Sequence, residues 1–243
     1  TEASRAICYD NAISIDLSES HPDKSVREKF KLKADLLTPI SKSWSTDVGV
    51  EVASLGIQIH GGMGFVEETG VAQFFRDSRI APIYEGTNGI QAIDLVMRKL
   101  LISDGEGLKN FMSEFDNTLS MCIKENNKDF QLISKNFSDA FDSVKISTEK
   151  LSQRIKSNEN YSALFVASDY LNLLGITAGA HYLIKGALSL KDHENRDFFE
   201  SKKDMAIFFS TQILPNTVGL SKSICSEIFE LETKRIDNIL GGF

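Results

Sequence analysis

The chain has 243 residues, with 27 Lys+Arg against 34 Asp+Glu and a formal net charge of −7. That acidic balance argues against a nucleic-acid-binding surface, which needs a basic field to meet phosphates. The proportions of 42% apolar and 25% charged residues are those of an ordinary globular protein with a real core. No apolar run approaches the ~20 residues that cross a bilayer, and the first twenty residues lack the basic start and apolar block of a signal peptide. The three cysteines, Cys8, Cys122 and Cys225, are far apart and form no CxxC pair. They read as reduced thiols, and with the other features they point to a cytoplasmic protein. The chain starts at Thr1 and enters a helical pattern at once, which reads as a fragment or trimmed product.

Ala6, Tyr9, Ile13 and Leu17 fall at helical spacing and predict a helix over 2–18. Residues 19–23 form a loop around Pro22, and 24–37 read as helix again. Thr38-Pro39 reads as a restart, with Thr as N-cap and Pro at the first helical position. The helix that follows carries Ile40, Trp44, Val48, Val52, Leu55 and Ile59 along one stripe. It stops at His60-Gly61-Gly62-Met63-Gly64, where glycines break the helix and let the backbone approach a neighbour. A short helix over 71–77 and an extended segment over 80–84 around Pro82 come next. Thr87 is then the candidate N-cap of a helix whose face carries Ile90, Ile93, Met97 and Leu100.

Asp104-Gly105-Glu106-Gly107 is the best boundary, dividing the chain into 1–103 and 104–243. Beyond it the apolar stripes are all helical. Phe111, Phe115, Leu119 and Cys122 form one, and Phe137, Phe141, Val144, Thr148, Leu151 and Ile155 the next. A third carries Leu164, Ala167, Leu171, Leu174, Ala178 and Tyr182, and the last Ile224, Ile228, Leu231 and Ile239. Strand-like alternation is nearly absent. The expected fold is all-α, an antiparallel helical bundle followed by a second helical domain.

The histidines His21, His60, His181 and His193 have no metal-ligand spacing and read as structural or surface residues, so no metal site is expected. The glycine cluster lacks the strand–turn–helix context of a dinucleotide fingerprint. Three motifs lie close together: Gln58-Ile59-His60-Gly61-Gly62-Met63-Gly64-Phe65, Arg76-Asp77-Ser78-Arg79-Ile80 and Ile83-Tyr84-Glu85-Gly86-Thr87. In order and spacing they resemble the C-terminal helical domain of the flavin-dependent acyl-CoA dehydrogenases. The likeness extends weakly upstream to Thr1 and fades beyond Leu101. The remainder is loosely similar to the helical region appended to some larger bacterial members.

The resemblance implies that Glu85 is the catalytic base. It would remove the α-proton of an acyl-CoA thioester while the β-hydrogen leaves as hydride to FAD, giving the trans-2-enoyl-CoA. It also implies that the Glu85 backbone N–H helps to bind the thioester carbonyl and that Gly86 lets the chain pass close to substrate. Thr87 would cap the next helix and contact flavin. Gly89, where several relatives carry glutamine, would touch the cofactor through its backbone. Gln58, Gly61 and Gly62 match positions that reach the FAD of a neighbouring subunit, so a homo-oligomer, dimer or tetramer, is implied. An electron-transfer flavoprotein is the implied electron acceptor. Arg76, Asp77 and Arg79 read as ion-pairing residues that fix the loop before Glu85, with a CoA-phosphate role for Arg79 or Lys99 as the lesser alternative. The family's flavin site also needs an N-terminal helical domain and a β-domain. The isolated chain is therefore expected to bind FAD weakly and to be inactive by itself. The alternative reading is a catalytically incompetent helical oligomerisation fragment, or a split or decayed family member.

Overall fold

The chain begins as a helical hairpin, α1 over Glu2–Ser20 and α2 over Lys24–His60. In the computed structural model, which describes residues 1–227, three residues reverse the chain between them. The Asp23 carboxylate accepts the Ser25 N–H at 2.8 Å as the N-cap of α2. This bond and the Ser25 hydroxyl hold the Asp23 carboxyl below its ordinary range. Arg27 ties the turn by donating to the carbonyls of His21 and Pro22 at 2.6 and 3.1 Å.

Thr38-Pro39 does not restart a helix, because α2 runs unbroken through both residues. The Thr38 hydroxyl donates back to Ala34 O at 2.7 Å, an intrahelical bond rather than a cap. A proline in a helix interior costs about 3 kcal/mol. Leu36, Leu37, Ile40 and Trp44 are all buried on either side of it, and each such burial contributes about 1.5–3 kcal/mol. Packing therefore outweighs the lost hydrogen bond. The predicted stripe splits further along: Ile40 and Trp44 are in the core, whereas Val52, Leu55 and Ile59 are 50%, 53% and 84% exposed.

Short pieces follow. These are α3 (Gly62–Phe65), a 3₁₀ turn at Glu67–Thr69, and α4 (Val71–Ser78). Residues 80–84 are turned rather than extended, with the N–H groups of Ile83 and Tyr84 both bonded to Ile80 O. After α5 (Asn88–Asp94) the helix widens into a π turn at Leu95–Lys99. The buried face is Ala92, Leu95, Val96 and Leu100, the π turn placing Leu100 five residues after Leu95 on it, and Ile90 and Ile93 of the predicted face, ahead of the turn, are exposed.

Ser103, Asp104 and Gly105 take left-handed backbone in succession (φ 50°, 54° and 77°). The chain then continues as α6 (Glu106–Ile123), α7 (Lys128–Lys156), α8 (Asn160–Phe165), α9 (Ala167–Ser189), α10 (Arg196–Phe208) and α11 (Asn216–Cys225). The fold is all-α, with no strand among the described residues. Phe111, Phe115 and Cys122 of α6 are buried as their spacing predicts, and so are Phe137, Phe141, Val144 and Leu151 of α7. Leu164 belongs to α8 rather than to the α9 stripe and is 36% exposed. In the last stripe Ile224 is buried, while Ile228, Leu231 and Ile239 lie outside the described residues.

Helix α9 is buried on every side over Leu173–His181 and sits at the centre, packed against α1, α2, α5, α6, α7, α10 and α11. Trp44 of α2 lies over Gly175 of α9, with Gly179 one turn on also touching its ring. The hydrophobic core is continuous from Ala3 to Ile224. Lys33 of α2 adds ion pairs to Asp10 of α1 (2.8 Å) and Glu114 of α6 (2.9 Å).

Candidate functional site

The motif Tyr84-Glu85-Gly86-Thr87 forms the turn into α5. Glu85 has φ 55° and Gly86 φ 82°, two left-handed residues in succession. Glycine adopts this conformation freely, whereas a glutamate held there costs on the order of 1–2 kcal/mol. Tethers to both carbonyls hold the turn. Gln91 Nε2 donates to Glu85 O at 3.1 Å, and Lys42 Nζ donates to Gly86 O at 2.8 Å and to Asn88 Oδ1 at 2.7 Å. Asn88 in turn donates through Nδ2 to Asp47 Oδ1 at 2.7 Å and Ser43 O at 3.1 Å. Partial burial pulls the Lys42 ammonium below the usual lysine range, against the opposing charges of Asp47 and Glu85. The Glu85 side chain is exposed.

Thr87 occupies the N-cap position of α5, but its hydroxyl makes no cap hydrogen bond. The capping expected of its side chain is not made. Its carbonyl accepts the Gln91 N–H at 3.1 Å. Gly89 is exposed on the first turn of α5, where an added Cβ would meet only Thr87 Oγ1, at 3.9 Å.

The glycine turn at the end of α2 has a different reason at each position. Gly61 has φ 60° and ψ −144°, a conformation for glycine alone, and its N–H donates to Gln58 O at 3.1 Å. At Gly64 a Cβ would lie 2.4 Å from Ile57 O, so close backbone approach excludes a side chain there. At Gly62 a Cβ would meet nothing within 4 Å. His60 is a helix-terminal residue, its Nδ1 2.8 Å from Gly56 O. Gln58 is exposed, and Ile59, Met63, Phe65 and Phe74 stand 60–84% exposed around the turn.

The structure thus brings Glu85, Gly86, Thr87 and Gly89 together against the middle of α2 and places Gln58, Gly61 and Gly62 at its C-terminal end. Lys42 and Gln58 are sixteen residues apart on α2, which at 1.5 Å per residue separates the two groups by about 24 Å along the axis. The Arg76–Asp77–Arg79 group does not form a local ion-pair cluster. Arg76 reaches Glu67 at 3.7 Å, and the side chains of Asp77 and Arg79 are exposed. Lys99 pairs with Asp35 at 2.7 Å and is not free to meet a phosphate. Among the described residues no His/Cys/Asp/Glu group could hold a metal ion, and no helix is long and apolar enough to cross a membrane. The tethers Lys42, Asn88 and Gln91 carry no signal in the sequence. Lys42 precedes the carbonyl it binds by 44 residues and looks like any helical lysine.

Residues 1–101 match a family model described as acyl-CoA dehydrogenase, C-terminal domain, and residues 111–228 match one described as acetyl-CoA dehydrogenase C-terminal like. Over 111 residues, 46% of the chain, the sequence is 51% identical to a 3-methylmercaptopropionyl-CoA dehydrogenase of Ruegeria pomeroyi, of which that stretch covers 19%. A butyryl-CoA dehydrogenase of Syntrophomonas wolfei is 26% identical over 92% of the chain and 37% of its own length. The fold is shared with Caenorhabditis elegans ACDH-11, solved in complex with C11-CoA (TM-score 0.73, 18% identity, 98% of this chain and 37% of that one). It is also shared with a Bacillus anthracis acyl-CoA dehydrogenase complexed with FAD (TM-score 0.67, 16% identity, 99% of this chain and 42% of that one). The chain spans between 19% and 42% of the length of these four proteins.

Proposed function

Because the chain belongs to the acyl-CoA dehydrogenase family, we propose that it is the C-terminal part of an FAD-dependent enzyme that oxidises an acyl-CoA to the trans-2-enoyl-CoA. The observation that carries this reading is the Glu85 turn: a carboxylate on a strained, left-handed backbone whose carbonyl and the next are both tied down. Strain of this kind is retained where a side chain must point in one direction. In this reading Glu85 takes the α-proton, and the electron pair left on the α-carbon forms the new double bond as the β-hydrogen departs with its own pair. FAD supplies the acceptor for that hydride. The Glu85 N–H would donate to the thioester oxygen, where negative charge develops as the proton leaves, and Gly86 would keep the turn thin enough for substrate to lie against it.

The residues present fit such a cofactor. Thr87 holds a hydroxyl that capping does not use, and Gly62 is a bare backbone position that no neighbour in this chain requires to be glycine. Thr87 and Gly89 would hold the flavin of this subunit, and Gln58, Gly61 and Gly62 the dinucleotide of a neighbouring one. The separation of about 24 Å along α2 supports two distinct places of contact. The exposed ledge of Ile59, Met63, Phe65 and Phe74 supports a homo-oligomer, dimer or tetramer, in which it is covered. An electron-transfer flavoprotein is the proposed acceptor from the reduced enzyme. The division at 103/104 into bundle and added helical domain belongs to this reading and is supported by the three left-handed residues Ser103–Gly105.

The test is flavin bleaching by acyl-CoA in the full-length protein. Glu85→Gln is expected to keep FAD bound and to slow bleaching by about 10²–10⁴-fold, the usual contribution of a general base. Bleaching at the wild-type rate would overturn the assignment. A second reading, a catalytically incompetent fragment or a split or decayed family member, is favoured for these 243 residues alone by the exposure of Glu85 and of the apolar ledge. A stoichiometric yellow preparation of this chain by itself would contradict it.

A further inference from the structure

Resting on the reading of Glu85 as the base, we propose that Lys42 is a positioning residue for the reaction, setting the direction of the Glu85 carboxylate by holding the turn from α2. Glu85 and Gly86 both have positive φ, and a glutamate left to itself returns to the right-handed or extended region, which turns its side chain elsewhere. Gln91 holds one carbonyl of the turn, Glu85 O, from α5 itself. Lys42 holds the next, Gly86 O, from the neighbouring helix and also takes Asn88 Oδ1.

The Asn88 amide is oriented for this role. Its Nδ2 donates to the Asp47 carboxylate and to Ser43 O, which leaves Oδ1 facing the ammonium. Asp47, Asn88 and Lys42 thus form one chain of bonds ending on the Gly86 carbonyl, one residue beyond Glu85.

Lys42 is not needed to dock α5. Ala92, Leu95 and Val96 bury that segment in the core, and Asn88 reaches α2 through Ser43 without the lysine. What the lysine adds is the tether on Gly86 O. Half-burial of a cation opposes its charge, and the neighbouring Asp47 and Glu85 carboxylates offset that cost. The position therefore suits a lysine that works through its charge and donors rather than one that packs a stem.

The test uses the full-length FAD-loaded enzyme with Lys42→Met, which keeps length but no donor, and Lys42→Arg, which keeps donors. Lys42→Met is expected to retain FAD stoichiometry and thermal midpoint, to leave KM within about threefold and to lower kcat about 10- to 100-fold, the scale of a ~1 Å misplacement of a reacting group. The primary isotope effect with α-deuterated acyl-CoA should rise, because proton removal has become slower. Lys42→Arg should recover most of the rate, and a crystal structure of Lys42→Met should show Glu85 at negative φ. Wild-type kcat and isotope effect in Lys42→Met would overturn the proposal. So would a loss of activity that merely follows loss of FAD or of thermal midpoint. If Lys42→Met does not accumulate as holoenzyme, Lys42→Arg and Gln91→Leu carry the test. Lys42→Arg is then expected to stay near the wild-type rate and Gln91→Leu to lose about tenfold in kcat, and wild-type kcat in Gln91→Leu overturns the idea. Glu85→Gln separates the two claims. Full activity in Glu85→Gln ends the base assignment itself, whereas an inactive Glu85→Gln beside a fully active Lys42→Met ends only the positioning role.

Discussion

Replacing Gly175 by alanine tests how closely α9 is packed onto α2. A Cβ added at Gly175 would lie 2.5 Å from Trp44 Cγ, 2.7 Å from Cδ1 and 2.9 Å from Trp44 Cβ. Carbon atoms rest about 3.5–4.0 Å apart, so the tryptophan must retreat by about 1 Å. Turning the indole relieves the ring contacts but not the one to Trp44 Cβ, so the α2 backbone itself must move. Overpacking of this kind costs about 1–3 kcal/mol, and alanine in place of glycine in a helix returns about 0.5–1 kcal/mol. The net is a destabilisation of up to about 2.5 kcal/mol, which lowers the thermal midpoint of a chain this size by up to about 10 °C. Gly186 supplies the control, since it lies on the same helix and an added Cβ there meets nothing within 4 Å. Gly186→Ala should gain about 0.5–1 kcal/mol from helix propensity alone. Thermal unfolding followed by circular dichroism reads both variants. If Gly175→Ala raised the midpoint as Gly186→Ala does, the reasoning about this contact would be wrong.

Two other side chains offer independent checks. Arg154 is 4% exposed and donates to Ile224 O at 2.7 Å, near the end of α11, and to Ser226 O at 2.6 Å, just beyond it. Arg154→Met leaves both without that donor and should cost roughly 2–3 kcal/mol in urea unfolding. An unchanged midpoint would show that the bonds contribute nothing. His181 is buried against Phe111, Phe115 and Tyr182, near Lys33, Lys185 and Glu114, with neither ring nitrogen hydrogen-bonded. Burial, reinforced by Lys185 and Lys33, pushes its imidazole from 6.5 down to about 3. The unfolded chain then binds a proton below pH 6.5 that the folded chain refuses until about pH 3. The stability His181 contributes is therefore complete above pH 6.5 and declines as pH falls through that window, by up to about 1.4 kcal/mol per unit. His181→Leu should flatten this slope, and parallel urea midpoints for the two proteins between pH 7 and pH 4 would refute it.

Much of the helical pattern is local, and local pattern is legible. The spacing of Phe111, Phe115 and Cys122, or of Phe137, Phe141 and Val144, names a buried face because 3.6 residues per turn leaves no other arrangement. The motif around Glu85 is legible through its family resemblance, and the glycine break at Gly61 is legible because the backbone there demands a residue without a Cβ. What the residues could not show was where several of the apolar faces point. Ile40 and Ile59 belong to one stripe, but the first is in the core and the second is 84% exposed, because the buried side chains of α2 all lie between Ala34 and Trp44 and the turns nearest its C-terminus carry none. The unbroken helix at Pro39 and the face turned by the π bend at Leu95 were likewise decided by burial against distant helices, which outweighs local preference.

The turn at Glu85 shows the division most plainly. The family resemblance carried by the sequence motifs is what marks Tyr84-Glu85-Gly86-Thr87 as the place where chemistry is expected. That Glu85 is held left-handed, and that a lysine 44 residues before Gly86 holds it so, emerges only when α5 lies against α2. Backbone strain and the tether that maintains it are properties of two elements in contact, and no single stretch of chain contains both.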